Sequence, residues 1–189
     1  LEPQRPNKPV ITYTGPAGYP INRLTFRSSS FSTPDFSASF AALKWRLAEV
    51  SYPGTVGFDP TEAWKYEITT VWESSNNVFV ADITLPPSAV RAGRTFRVRA
   101  QVVDNLGRNS NWSAPIEFAV GEPDGAADLQ NHLRITEVRF NPPAGGFEFV
   151  ELHNSSASVT LDLACVKFTQ GIDFTFPSGA SLGPGGYLL

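Results

Sequence analysis

Apolar and polar residues alternate along much of this chain, and glycine or proline interrupts the alternation at short intervals. The alternation is clearest over residues 95–103 (TFRVRAQVV). In an extended strand its apolar positions fall on one face, whereas Arg97 and Arg99 fall on the other. This period of two predicts half-buried strands and an all-β chain.

The same criterion predicts ten more strands, each a short run bounded by turn-forming residues. They are residues 8–14, 21–31, 40–50, 64–72, 77–85, 115–120, 133–140, 147–153, 159–168 and 174–176. Residues 40–50 (FAALKWRLAEV) also contain helix-forming residues. We interpret this segment as a strand, because Leu43, Trp45 and Leu47 alternate with polar positions.

Charge divides the chain into two parts. Residues 1–121 carry 12 Lys and Arg against 10 Asp and Glu, whereas residues 122–189 carry 3 against 8. Turn formers and acidic residues are concentrated in residues 122–131, as is typical of a linker. We therefore predict one domain over residues 1–121 and a second over residues 132–189.

Composition argues against several classes of function. The net charge is −3 and the cations are not clustered, which disfavours a nucleic-acid partner. No apolar run reaches the roughly 18 residues of a membrane-spanning helix. The single cysteine, Cys165, excludes both an internal disulfide and an all-cysteine zinc site.

The end of the first domain resembles the last two strands of fibronectin type III domains. The resemblance lies in the alternating strand 95–103, the turn at Gly107, and the sequence Trp112-Ser-Ala-Pro115 before the strand 115–120. It implies that residues 1–121 form an immunoglobulin-like sandwich.

Residues 132–189 resemble the lamin tail domain in five pieces that follow the order of that family. These pieces are Ile135-Thr-Glu-Val138 with Asn141-Pro142, Glu148-Phe-Val-Glu-Leu152 with Asn154, Leu161-Asp-Leu163, Phe174-Thr-Phe-Pro177 and Leu182-Gly-Pro-Gly-Gly-Tyr-Leu188. The sequence departs from the family at Ala164-Cys165-Val166. Because the family's domain continues with several more strands, the resemblance implies two tandem immunoglobulin-like sandwiches, the second truncated at its C-terminus. It also implies a fragment of a larger exported bacterial protein, located outside the cell or on its surface.

Two aromatic groups are candidate binding residues. The segment 109–113 (NSNWS) resembles the W-S-x-W-S box of cytokine-receptor fibronectin domains, in which tryptophan rings interleave with arginines. We therefore expect Trp112 to stack on Arg97 or Arg99 as a structural brace; the competing interpretation is a carbohydrate or protein contact surface. The three rings of Trp64, Tyr66 and Trp72 belong to one predicted strand, and alternation makes them core residues more often than a ligand platform.

Residues suited to catalysis are sparse. The chain has only two histidines, His132 and His153, and no G-x-S-x-G sequence. Glu148 and Glu151, three apart on a strand, point to opposite faces. We expect Glu137 and these two glutamates to be structural, with calcium binding left open. The sequence therefore predicts no enzyme, no cofactor and no catalytic or metal site.

These observations lead to one hypothesis and one alternative. The hypothesis is a non-catalytic structural and interaction module, whose partners are other domains of the parent chain and extracellular protein or polysaccharide. The alternative is a carbohydrate-binding accessory module that uses exposed aromatic residues. Exposure of the three candidate rings discriminates between them.

Overall fold

A computed structural model describes residues 4–164, 166–177 and 179–189. Strands account for 37% of the chain and helix for 5%, which confirms the predicted β-rich, sandwich-like architecture. Two compact units are present: an N-terminal unit, Leu1–Glu122, and a C-terminal unit, Pro123–Leu189. Among the described residues, no helix has the length and apolarity that crossing a lipid bilayer requires.

The N-terminal unit consists of two antiparallel sheets. Its strands are β1 (Ile11–Tyr13), β2 (Thr25–Ser28), β3 (Phe40–Val50), β4 (Trp72–Asn76), β5 (Asp82–Thr84), β6 (Thr95–Asp104) and β7 (Ile116–Ala119). One sheet has the order β1-β2-β5 and the other the order β4-β3-β6-β7. A 3-10 turn, Pro87–Ala89, precedes β6.

The two long strands β3 and β6 supply the centre of the core. They pair from Phe40 opposite Asp104 to Val50 opposite Thr95. Their apolar positions pack against those of the other sheet, so that Trp45 on β3 is 1% exposed and Phe26 on β2 is fully buried. Burying one such large side chain contributes about 1.5–3 kcal/mol. The interpretation of residues 40–50 as a strand is confirmed.

The predicted strand over residues 64–72 is wrong. Only its last residue, Trp72, belongs to β4; the preceding residues form turns and bends with a single bridge between Lys65 and Ser51. Glu67, in the middle of the alternating run, is bound by arginines of β3 and β6. These contacts draw the chain away from the edge of β3, and β4 begins only where Trp72 pairs with Leu47.

The C-terminal unit contains short strands and one helix. They are α1 (Ala126–His132), β8 (Leu133–Arg139), β9 (Phe149–Asn154), β10 (Leu161–Asp162), β11 (Lys167–Phe168), β12 (Phe174–Thr175), β13 (Ser181–Leu182) and β14 (Tyr187–Leu188). A three-stranded sheet has the order β14-β9-β8, while β10 pairs with β13 and β11 with β12. The predicted strand 159–168 is thus divided in two; Cys165, which falls inside it, lies outside the described residues.

The helix α1 occupies most of the segment predicted as a linker. Gly125 precedes it with a left-handed φ of 84°, a conformation that glycine adopts without steric cost. At the other end, the Arg134 guanidinium donates to the carbonyl oxygens of Gln130 and Asn131, and Leu129 packs on the core of the unit. Tertiary contacts therefore stabilise a short helix in a sequence whose glycine and acidic residues favour turns.

One buried amide organises the C-terminal unit. Asn154, at the end of β9, is fully buried. Its Nδ2 lies 2.8–3.0 Å from the carbonyl oxygens of Val159, Leu182 and Gly183, and its Oδ1 accepts from the Ser156 amide. The side chain thereby joins β9 to the turn after β13. The buried core beside it consists mainly of Leu152, Leu161, Leu163 and Leu182.

We expect Asn154→Asp to destabilise the C-terminal unit by about 2–4 kcal/mol, because a buried carboxylate would face three carbonyl oxygens without a donor. Hydrogen exchange should show loss of protection over residues 150–164 and unchanged protection over residues 95–104. Asn131→Asp makes the same chemical change at an exposed position and should leave both segments protected. Equal exchange in the two variants would contradict this role of Asn154.

Candidate functional site

Three arginines project from the outer face of the four-stranded sheet. Arg46 on β3 lies directly opposite Arg99 on β6, and Arg97 lies two residues before Arg99 on the same face. We call Arg46, Arg97 and Arg99 the arginine cluster. Like charges placed directly opposite each other destabilise a sheet, so the cluster requires an anion.

Glu67 supplies that anion from the irregular segment between β3 and β4. Its carboxylate accepts from Arg99 Nε and Nη2, the latter at 2.9 Å, and Arg97 Nη1 lies 3.7 Å from Glu67 Oε2. Arg46 donates to the backbone carbonyl of the same residue. The paired contact with Arg99 fixes both the position and the orientation of the carboxylate.

The electrostatics of Glu67 follow from this arrangement. Its side chain is 17% exposed. Burial alone raises the pKa of the carboxyl, but the hydrogen bond from Arg99 and the charges of Arg99, Arg46 and Arg97 together hold that pKa below its ordinary value. Glu67 therefore stays ionised under mildly acidic conditions.

Trp112 has a cation partner, but not the one expected from the sequence. The Arg46 guanidinium lies 5.4 Å from the centroid of the Trp112 ring. Arg97 lies over Tyr52 at 5.8 Å and donates to Glu117 at 2.7 Å, whereas Arg99 binds Glu67 and the Ser113 carbonyl. Arg97 and Arg99 belong to β6, the strand that precedes Trp112 in the sequence, whereas Arg46 comes from the neighbouring strand β3, which contributes to the same face.

An open groove of about 460 Å³ runs beside these residues. It is lined by Arg46, Glu67, Ile68, Arg99 and Trp112. The charged groups in its lining bind one another, and Ile68, which also lines it, is 86% exposed. Such a groove suits an apolar or aromatic side chain of a ligand more than a free anion, because the arginine cluster is already bound to Glu67.

The three aromatic candidates separate into two groups. Trp64 is 52% and Tyr66 57% exposed, with ring centroids 6.4 Å apart and planes tilted by 53°. Trp72 packs against the core of the N-terminal unit instead. The structure brings two of the three rings together at the surface, and they do not form a flat row.

Sequence reasoning missed Arg46 and Glu67, which connect the two predicted groups. Both occupy polar positions of alternating segments, and their spacing along the chain does not distinguish them from other charged residues on outer faces. The one signal in the sequence was the pair of arginines on the outer face of the predicted strand 95–103. Two cations on the same face of a strand favour a nearby carboxylate, but they do not indicate which one.

The residues considered for catalysis belong to the C-terminal unit. His153 stacks on Tyr187 at a centroid distance of 4.2 Å. Glu151 accepts a hydrogen bond from Thr136 and lies opposite Glu137, whereas Glu148 is exposed before β9. In the part of the chain that the structure describes, no three His, Cys, Asp or Glu residues cluster closely enough to hold a metal ion.

No family model matches the chain, and no curated protein matches it.

We expect Glu67→Gln to lower the free energy of unfolding by about 1–2 kcal/mol near neutral pH, because the arginine cluster loses its anion. The folded-state pKa of Glu67 is depressed, so its contribution is present above the ordinary glutamate value of about 4.3 and is lost as the pH falls below it. Urea unfolding at a series of pH values should therefore show that the free energies of unfolding of the wild type and of Glu67→Gln become equal in acid. Glu122→Gln, at an exposed position, is the matched control, and a pH-independent difference for Glu67→Gln would contradict the electrostatic account.

We expect the aromatic candidates to differ in their effect on stability. Trp64→Ala and Tyr66→Ala should change the free energy of unfolding by less than about 0.5 kcal/mol, because both rings are exposed. Trp72→Ala should cost about 2 kcal/mol or more, because it removes a ring packed on the core. Thermal unfolding of the three variants measures these differences. Similar losses of stability in all three would show that Trp64 and Tyr66 are structural residues.

Proposed function

We propose that this chain is a non-catalytic interaction module of a larger exported bacterial protein. In this proposal a fibronectin-III-like sandwich precedes a lamin-tail-type domain, and residues 64–71 form the contact surface for a protein partner. The single observation that carries the proposal is the exposure of Trp64, Tyr66 and Ile68 on one irregular segment beside the arginine cluster.

The segment 64–71 has the properties of a protein contact surface. Its apolar side chains are 45–86% exposed: Trp64, Tyr66, Ile68 and Val71. Tryptophan, tyrosine and arginine are the residues that most often dominate binding energy at interfaces. An exposed apolar surface of this kind is common where proteins associate.

The backbone of this segment is held in place before any partner binds. Lys65 exchanges backbone hydrogen bonds with Ser51 and forms an ion pair with Glu49 at 2.9 Å. Glu67 is bound by Arg99, so two successive anchors flank Tyr66. A surface that is already ordered loses less conformational entropy on binding, which favours affinity.

The alternative, a carbohydrate-binding accessory module, is supported by the proximity of Trp64 and Tyr66. Against it stand the 53° tilt between the rings and the packing of Trp72 on the core. A sugar stacked on one ring would not lie flat on the next. Protein contact is therefore the preferred function.

Photo-crosslinking in the source organism tests the proposal. A benzophenone amino acid replacing Tyr66 should crosslink the parent protein to a defined partner, while the same group replacing Leu106, which is 58% exposed, should not. Adding Trp64→Ala should reduce the yield at position 66. Equal products from both positions, or none from position 66, would contradict the proposed surface.

Affinity electrophoresis against soluble polysaccharides tests the alternative. We expect no retardation. Retardation that is abolished by Trp64→Ala with Tyr66→Ala and retained in Trp112→Ala would establish the carbohydrate-binding function instead.

A further inference from the structure

β8 is one of the two edge strands of the three-stranded sheet in the C-terminal unit, the other being β14. Among the strands that the structure describes, it pairs with β9 alone. The backbone groups on its other side are therefore available to a further strand, the situation in which exposed edges recruit a partner.

Apolar side chains accompany this edge. Ile135, Val138, Phe140 and Phe147 are 59%, 57%, 78% and 85% exposed. Val138 lies opposite Val150 on β9, whose side chain packs on the core. The core-facing side of the sheet thus continues onto β8, but there its apolar side chains are exposed to solvent.

The charges on the other side of β8 are incompletely compensated. Glu137 lies opposite Glu151, an arrangement of like charges that destabilises a sheet. Arg139 lies opposite Phe149, with its guanidinium 5.9 Å from the ring centroid. Within the described part of the chain, neither Glu137 nor Arg139 takes part in an ion pair.

We propose that β8 is a homodimerisation strand, which pairs antiparallel with β8 of a second copy about a two-fold axis at Val138. In this register Glu137 of each copy lies opposite Arg139 of the other, so two interchain ion pairs form at once. The two Val138 side chains meet on the core-facing side. This self-complementary pairing is the isologous contact that two-fold symmetry requires.

The charge pattern selects both the partner and the register. The sequence Glu137-Val138-Arg139 carries opposite charges at equal distances from its centre, so a copy of itself is the strand that satisfies it in the antiparallel direction. Registers centred on Glu137 or on Arg139 would place identical charges opposite each other.

A register that joins Arg134 to Glu137 is also disfavoured. The Arg134 guanidinium already binds carbonyl oxygens at the end of α1. In addition, the pairing with β9 shifts between Ile135 and Glu137, and such a bulge interrupts the edge at that point.

Sedimentation of the full chain under reducing conditions tests the proposal. The wild-type protein should show a mass that rises with concentration toward that of a dimer. Glu137→Arg and Arg139→Glu should each weaken association by at least about tenfold, because each converts both ion pairs into like-charge pairs. An equimolar mixture of the two variants should recover it, since only the heterodimer then pairs arginine with glutamate at both positions.

Two controls separate this effect from unfolding and from net charge. Both substitutions are at exposed positions, and circular dichroism should show unchanged strand content. Lys167→Glu changes the charge of the same unit at another exposed position and should associate as the wild type does. A wild-type chain that stays monomeric, single variants that associate normally, or a mixture that does not recover association would each overturn the proposal.

Discussion

The antiparallel pairing of β3 with β6 separates two environments in the N-terminal unit. On the inner face this ladder places Trp45, Leu47 and Val98 in the core. On the outer face the same register puts Arg46 opposite Arg99. Burial of the inner face fixes the register, because a shift by one residue would exchange the two faces. The proximity of the two arginines is therefore imposed by the core.

That constraint explains the irregular segment before β4. Two guanidinium groups held in register need a carboxylate, and Glu67 supplies it. The segment that carries Glu67 consequently leaves the edge of β3, and its alternating aromatic residues lose the sheet that would have buried them. Trp64 and Tyr66 become surface residues, and the proposed contact surface is a consequence of the way the arginine cluster is neutralised.

The C-terminal unit is stabilised differently. Its buried core rests mainly on four leucines, and Asn154 provides hydrogen bonds that hold separate turns together. A thin core leaves much apolar surface exposed on β8. Edge pairing with a second copy would cover part of that surface and would also compensate the charge of Glu137. The two proposed interaction surfaces thus differ in kind: one lies on a loop of the N-terminal unit and the other on a strand edge of the C-terminal unit.

Period-two alternation by itself determined the β-rich class and the positions of β3 and β6, because burial of one face of a strand is a local property of the sequence. It also identified the outward face of Arg97 and Arg99. Only the tertiary structure decided that Arg46 lies over Trp112, that Glu67 joins the cluster, and that residues 64–71 are not a strand. Each of these depends on which strand lies beside which, and an isolated segment carries no information about its neighbour. The helix α1 and the burial of the Asn154 side chain were not predicted for the same reason: their stabilising partners are carbonyl oxygens and side chains that only the folded chain brings into contact.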